Sequence, residues 1–123
     1  MSAVPEDLTY TAEHEWVREG SPVTVGITDN AAQALGELVF IELPEVGSAV
    51  TAGQVCGEVE STKSVSEIYS PVTGAVAEVN QAVVDNPQLV NDDPYGEGWL
   101  MRVDATDRGV MLTAEEYRAL IEG

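Results

Sequence analysis

The chain has 123 residues, 44% of them hydrophobic, and sets 22 acids against 5 lysines and arginines for a formal net charge of −17. That length and apolar content suit one folded domain, residues 1–123, with a modest core, and exclude a disordered chain. The charge repels nucleic-acid phosphates and anionic membrane surfaces, and it favours cationic groups or basic partner surfaces.

No apolar run is long enough to span a bilayer. Met1 to Thr11 has neither the basic region nor the apolar core of a secretory signal, and an arginine-rich transit peptide is absent. The lone cysteine, Cys56, demands no oxidising compartment. The expected location is a bacterial cytoplasm, or a mitochondrial matrix for a processed organellar form.

Residues 1–7 are polar and read as a flexible lead. Leu8–Tyr10 and Trp16–Arg18 are expected as short strands, and Gly20-Ser21-Pro22 as a turn. Val23–Ile27 alternates as a strand. Thr28 or Asp29 caps a short alanine-rich helix over 30–35, and Gly36 stands where a left-handed terminator is wanted. Leu38–Ile41 is the most apolar strand, ended by Pro44 and Gly47. Thr51-Ala52-Gly53 turns into the next strand.

Val55, Gly57 and Val59 alternate with Cys56, Glu58 and Glu60, the period of a half-buried strand. A second apolar run begins at Val65 and continues through Ile68-Tyr69. The polar cluster Glu60–Ser64 between them predicts a β-hairpin with Lys63 at its exposed tip. Ser70–Gly74 reads as a turn and Ala75–Val79 as a strand. Asn80–Gly98 reads as a long irregular stretch, and Trp99–Val103 closes the sheet region. Thr113-Ala114-Glu115-Glu116 is a capping box opening a C-terminal helix, with Leu112 and Tyr117 as its staple. Tyr117, Leu120 and Ile121 give that helix an apolar side. Many short strands favour a β-sandwich. Gly36–Ile41 and Gly74–Val79 echo each other weakly, as two similar packed halves would.

Lys63 is the only lysine. An exposed lysine amine is protonated at neutral pH and is a poor unaided catalyst. At a hairpin tip it can enter another enzyme's active site, which is how lipoate and biotin carriers present a lysine for acylation. A solvated lysine paired with Glu60 or Glu67 explains the hairpin equally well.

Self-contained catalytic patterns are missing. One His and one Cys, far apart, give no zinc spacing. Asn91-Asp92-Asp93 lacks the calcium-loop spacing. Cys56 reads as a core or sheet residue, His14 as a surface or edge residue, and Trp16 and Trp99 as packing. No phosphate-cradling glycine loop occurs.

From Leu8 to Tyr117 the chain resembles the H proteins of the glycine cleavage system, which are lipoyl carriers. The resemblance lies in His14-Glu15-Trp16, Gly26-Ile27-Thr28-Asp29, Leu35-Gly36-Glu37 and Ile41-Glu42-Leu43-Pro44. It continues in Glu60-Ser61-Thr62-Lys63, Ser70-Pro71 with Gly74, Asn91, Pro94-Tyr95 and Gly98-Trp99. It implies a mainly β, lipoyl-domain-like barrel-sandwich hybrid of two antiparallel sheets with short flanking helices, the C-terminal one included. It also implies lipoate in amide linkage to Lys63, no catalytic site or metal of its own, and a monomer. The implied partners are a glycine decarboxylase (P protein), an aminomethyltransferase (T protein), a dihydrolipoyl dehydrogenase (L protein), and a lipoyl or octanoyl ligase or transferase.

The loaded arm ends in a cationic amine, which a carboxylate-lined cleft would hold and shield from water. Glu15 is the first candidate for that cleft and Glu67 the second. Ala12 and Glu13 stand where the family usually has a small or hydroxyl residue, so any role for a hydroxyl there is lost. Ser64 replaces a common alanine. Three alternatives share Lys63 or the fold. They are a biotin carrier, which usually flanks its lysine with methionines, a lipoyl relay, and an unmodified acidic interaction module.

Overall fold

A computed structural model describes residues 3–122. In chain order the strands are β1 (Thr9–Tyr10), β2 (Glu15–Arg18), β3 (Val23–Ile27), β4 (Leu38–Glu42), β5 (Ala49–Val50), β6 (Val55–Ser61), β7 (Val65–Tyr69), β8 (Val72–Val79) and β9 (Met101–Arg108). The helices are α1 (Asp29–Leu35), α2 (Gln81–Asp85), α3 (Gln88–Asp92) and α4 (Ala114–Glu122). Six strands form one antiparallel sheet in the order β1-β2-β3-β9-β8-β5, and three form a second in the order β4-β6-β7. The expected mainly β pair of antiparallel sheets with short helices is present. No helix among the described residues is long and apolar enough to cross a membrane.

Alternation explains which side each strand buries. In the small sheet Ile41, Val59 and Ile68 point inward and join Ile27, Ala32, Leu38, Val83, Val90 and Leu100 in one buried cluster. Each such aliphatic side chain contributes roughly 1.5–3 kcal/mol on burial. The large sheet buries Val17, Val23, Val25, Val50, Val72, Val76, Met101 and Val103. Cys56 packs against both clusters.

A third cluster, Leu8, Tyr10, Trp16, Ala114 and Tyr117, seats α4. Tyr10 and Tyr117 stack there with centroids 4.8 Å apart. The capping box forms as expected. Thr113 N–H donates to Glu116 Oε1 at 2.9 Å, and Glu116 N–H donates to Thr113 Oγ1 at 3.1 Å. Leu120 differs from expectation, because it is exposed while Ala114 and Tyr117 are the buried pair.

Four stretches depart from the reading of the sequence. The irregular segment 80–98 contains α2 and α3. Each is a little over one turn and buries one valine, Val83 or Val90. Helices this short have no periodicity to detect, and packing stabilises them. Asn80 anchors the segment by accepting from Ala82 N–H and donating to the Glu97 and Trp99 carbonyls.

The turn at 70–74 is shorter than expected. β8 starts at Val72, which pairs with Arg108, and Thr73 pairs with Asp107. β9 runs on through Asp104–Arg108, a polar segment held in the strand by that pairing. The two echoing segments contain most of β4 and most of β8, one in each sheet.

Residues 3–7 are tied to the body. The Ala3 carbonyl accepts from Tyr95 O–H, the Pro5 carbonyl from Tyr10 O–H, and the Val4 carbonyl from Arg118. Met1 and Ser2, the start of the expected lead, lie outside the described residues.

Candidate functional site

The tip between β6 and β7 is built by Ser61. Its backbone N–H donates to the Ser64 carbonyl at 2.8 Å, closing a two-residue turn over Thr62 and Lys63. Its hydroxyl oxygen accepts from Lys63 N–H at 3.2 Å and Ser64 N–H at 3.1 Å. The backbone and side chain of one residue therefore fix the turn at the lysine, in the manner serine braces turns. Thr62 N–H donates to the Glu37 carbonyl at 3.1 Å and ties the tip to the start of β4.

The lysine stem passes over Gly36, the residue that ends α1. A Cβ placed on Gly36 would lie 3.1 Å from Lys63 Cε. Gly36 has φ 85° and ψ −156°, a region essentially reserved for glycine, instead of the left-handed helical region expected. Asn91 holds this corner. Its Oδ1 accepts from Leu38 N–H at 3.0 Å and its Nδ2 donates to the Gly36 carbonyl at 2.8 Å.

Every arginine is occupied. Arg102 pairs with Glu78, Arg108 with Glu19 and Arg118 with Glu6. Arg18 lies over the Trp16 ring at 5.1 Å and donates to the Tyr95 carbonyl. Lys63 is exposed and takes part in no ion pair among the described residues. The alternative pairing with Glu60 or Glu67 is not formed.

A cleft of about 350 Å³ opens beyond the far end of β7, lined by Thr11, Glu13, Glu15, Tyr69, Pro71 and Val110 among others. β7 leads there from Lys63 over about 20 Å at the usual strand rise. Glu15 is 2% exposed and has no cationic partner among the described residues. Thr11 O–H donates to Glu15 Oε1 at 2.7 Å, and Tyr69 N–H lies 3.4 Å from Oε2. Burial pushes the Glu15 carboxyl from its ordinary 4.5 up to about 7, against the pull of the Thr11 and Tyr69 hydrogen bonds.

The chain places Glu15 by a tight loop. His14 N–H donates to the Thr11 carbonyl at 3.1 Å, Thr11 N–H donates to the Glu15 carbonyl at 3.0 Å, and His14 has φ 71°. That left-handed residue turns the next side chain inward. His14 is half-buried, and its Nδ1 lies 2.7 Å from Tyr117 Oη, which lies 2.7 Å from Thr28 Oγ1.

The two candidate carboxylates are not brought together. Glu67 is exposed on the outward side of β7, opposite Glu58, and its Oε1 accepts from Tyr69 O–H at 3.4 Å. It is not among the residues lining the cleft. Thr11 is the residue the sequence did not flag. Thr11 carries a hydroxyl that donates to Glu15 Oε1. A polar side chain four residues ahead of a glutamate carries no signal until the loop geometry is known. Cys56 has its thiol pushed up to about 12, chiefly by burial and then by the Glu15 charge, so it is an inert neighbour of the cleft.

Residues 8–123 match the family model described as Glycine cleavage H-protein. The H protein of Beutenbergia cavernae is 57% identical over 122 residues, 98% of each chain. That of Corynebacterium jeikeium is 58% identical over 127 residues, 99% of this chain and all of that one. The crystal structure of the H protein from Mycobacterium marinum superposes with a TM-score of 0.93 at 50% identity, covering 98% of this chain and 100% of the other. With this coverage, this identity and the same fold, the chain belongs to the glycine cleavage H-protein family.

Proposed function

We propose that this chain is the lipoyl carrier of a glycine cleavage system, with lipoate in amide linkage to Lys63. The observation that carries the reading is Lys63 itself. It is the only lysine, exposed, unpaired among the described residues and braced at a two-residue tip, in a chain of this family. An amide forms there without disturbing any contact of the folded chain. When bound, the lipoyl group supplies a disulfide that can take up an aminomethyl group and be left as a dithiol.

The chain's own residues position and protect. β6 and β7 present the lysine at an exposed tip, its stem against Gly36, where a partner can reach the amine. Glu15, with Thr11, offers the arm's terminal ammonium a buried acceptor in the cleft. A cation arriving there lowers the Glu15 carboxyl back toward its ionised form. Glu67 stands near the route along β7, where it can hold the same ammonium in transit.

In this reading the carrier takes the aminomethyl group from the glycine decarboxylase and yields it to the aminomethyltransferase. It is then reoxidised by the dihydrolipoyl dehydrogenase. It has no catalytic site of its own and works as a cytoplasmic protein, as its bacterial relatives suit. Intact mass with peptide mapping on native protein tests this. A lipoyl or octanoyl addition confined to the peptide holding Lys63 is expected, and Lys63→Arg is expected to lose both the addition and glycine turnover. A biotinyl mass, or unmodified native protein, refutes it.

A further inference from the structure

Glu15 meets the cleft because of the backbone just before it. Among the described residues, His14 is the sole non-glycine residue with a positive φ. That conformation is disfavoured for a residue with a side chain and persists where its surroundings hold it. Three contacts hold it here. His14 N–H donates to the Thr11 carbonyl at 3.1 Å, the His14 carbonyl accepts from Thr28 N–H at 3.0 Å, and Nδ1 meets Tyr117 Oη at 2.7 Å. Backbone makes the first two, so any residue could form them. The third needs an imidazole at position 14 and a phenol on α4.

Tyr117 is itself firmly held. It is fully buried, lies within 12° of parallel to the Tyr10 ring, and meets the His14 ring edge-on at 5.7 Å. Thr28 Oγ1, which caps α1 by accepting from Ala31 N–H at 3.2 Å, also lies 2.7 Å from Tyr117 Oη. Thr28 O–H is free to donate to Tyr117, whose own O–H then donates to His14 Nδ1. Burial holds the Tyr117 phenol above its ordinary 10, so it stays a hydroxyl at neutral pH. Arg118, the next residue of α4, donates to the Val4 carbonyl and pairs with Glu6, which fastens the helix to the start of the chain. Neither Tyr117 nor His14 lines the cleft, so neither touches what the cleft holds.

We infer that the Tyr117 hydroxyl is a positioning group for the loaded arm, because by gripping His14 in its left-handed conformation it aims the Glu15 carboxyl into the cleft. The inference rests on the reading of Glu15 as the acceptor of the arm's ammonium. Glu15 opens β2 opposite Ile27, and Trp16 after it packs under α4. With His14 released to an ordinary φ, the peptide entering Glu15 turns, and Thr11 O–H and Tyr69 N–H lose their common acceptor. The ammonium then has no fixed partner, and the arm spends more of its time in water. A helix at the far end of the chain thereby sets how long the cargo survives.

The test uses the full lipoylated chain, loaded by glycine decarboxylase with glycine and then separated from it. Hydrolysis of the loaded arm breaks its C–S bond and yields the thiol, formaldehyde and ammonia, so intact mass against time gives a half-life. Wild type is compared with Tyr117→Phe, His14→Ala, His14→Asn, Glu15→Gln and Tyr117→Phe/Glu15→Gln. Hydrolysis proceeds from the released conformation. Tyr117→Phe keeps the stacked ring and should shorten the half-life about fivefold, the equilibrium effect of one lost hydrogen bond. On top of Glu15→Gln it should shorten it no further, whereas a general packing defect would add. His14→Ala should match Tyr117→Phe, and His14→Asn should keep most of the wild-type half-life, because asparagine accepts a positive φ. If Tyr117→Phe does not fold, the two His14 variants decide by the same readout. A wild-type half-life in Tyr117→Phe, an additive loss in the double variant, or equal losses in His14→Ala and His14→Asn overturns the positioning role. A wild-type half-life in Glu15→Gln instead overturns the reading of the cleft beneath it.

Discussion

Replacing Glu15 by glutamine should stabilise the unmodified protein at alkaline pH and do little at acid pH. The carboxyl titrates at about 7 in the folded chain and at 4.5 ordinarily. An acid whose folded value is raised keeps its proton in the native state while the unfolded chain has already released it. Stability is therefore fullest below 4.5, falls as pH rises, and has lost the whole contribution above 7. One pH unit of difference is worth 1.36 kcal/mol, so the native carboxylate costs about 3 kcal/mol at pH 8.

Glutamine has no such titration. It can still accept from Thr11 O–H, and forfeits at most a hydrogen bond worth about 1 kcal/mol at the long Tyr69 contact. That loss does not vary with pH. Urea unfolding of both proteins between pH 5 and 8.5, at fixed salt, isolates the effect, because the other acids are common to the pair. The stability gap should move in favour of glutamine by roughly 2.5 kcal/mol across that window. A gap constant to within about 0.5 kcal/mol would falsify the assignment of Glu15 as a buried, cation-free carboxylate.

Two further outcomes test the lysine corner. Ser61→Ala removes the acceptor for Lys63 and Ser64 N–H. It should cost about 1 kcal/mol by chemical denaturation and speed amide exchange at those two positions selectively. Uniform exchange across β6 and β7 would contradict a local brace. Gly36→Ala meets both a positive φ and the lysine stem at 3.1 Å. It should lose on the order of 1–3 kcal/mol, read as a lowered melting temperature. In a Lys63→Ala background it should lose less, because the steric part is gone, and an identical loss in both backgrounds would refute the contact.

Some of this architecture is written locally. Period-two alternation is visible in Val23–Ile27 and along Val55–Glu60, and both form strands, though the bulge between Val55 and Gly57 leaves Val55 exposed and turns Cys56 toward the core. The capping box at Thr113 and Glu116 needs only neighbours in sequence, and it forms as expected. The same holds for the hairpin, whose polar cluster can do little except turn. The scarcity of lysine marks Lys63 without any structure, since composition alone isolates it.

The rest is decided across the chain. Val72–Thr73 and Asp104–Arg108 have the vocabulary of turns and surface, yet they are strands because each pairs with the other. α2 and α3 exist because Val83 and Val90 find the core. Glu15 shows the point most plainly. By composition it is one of 22 acids, and only the family resemblance separates it from Glu13 two positions earlier. A left-handed His14, a hydroxyl from Thr11 and a peptide from Tyr69 bury it, and burial gives it a proton affinity its neighbours lack. Local pattern sets which backbone forms. The dielectric and hydrogen-bonding environment of a carboxylate depends on what distant segments pack around it, and only the tertiary fold supplies that.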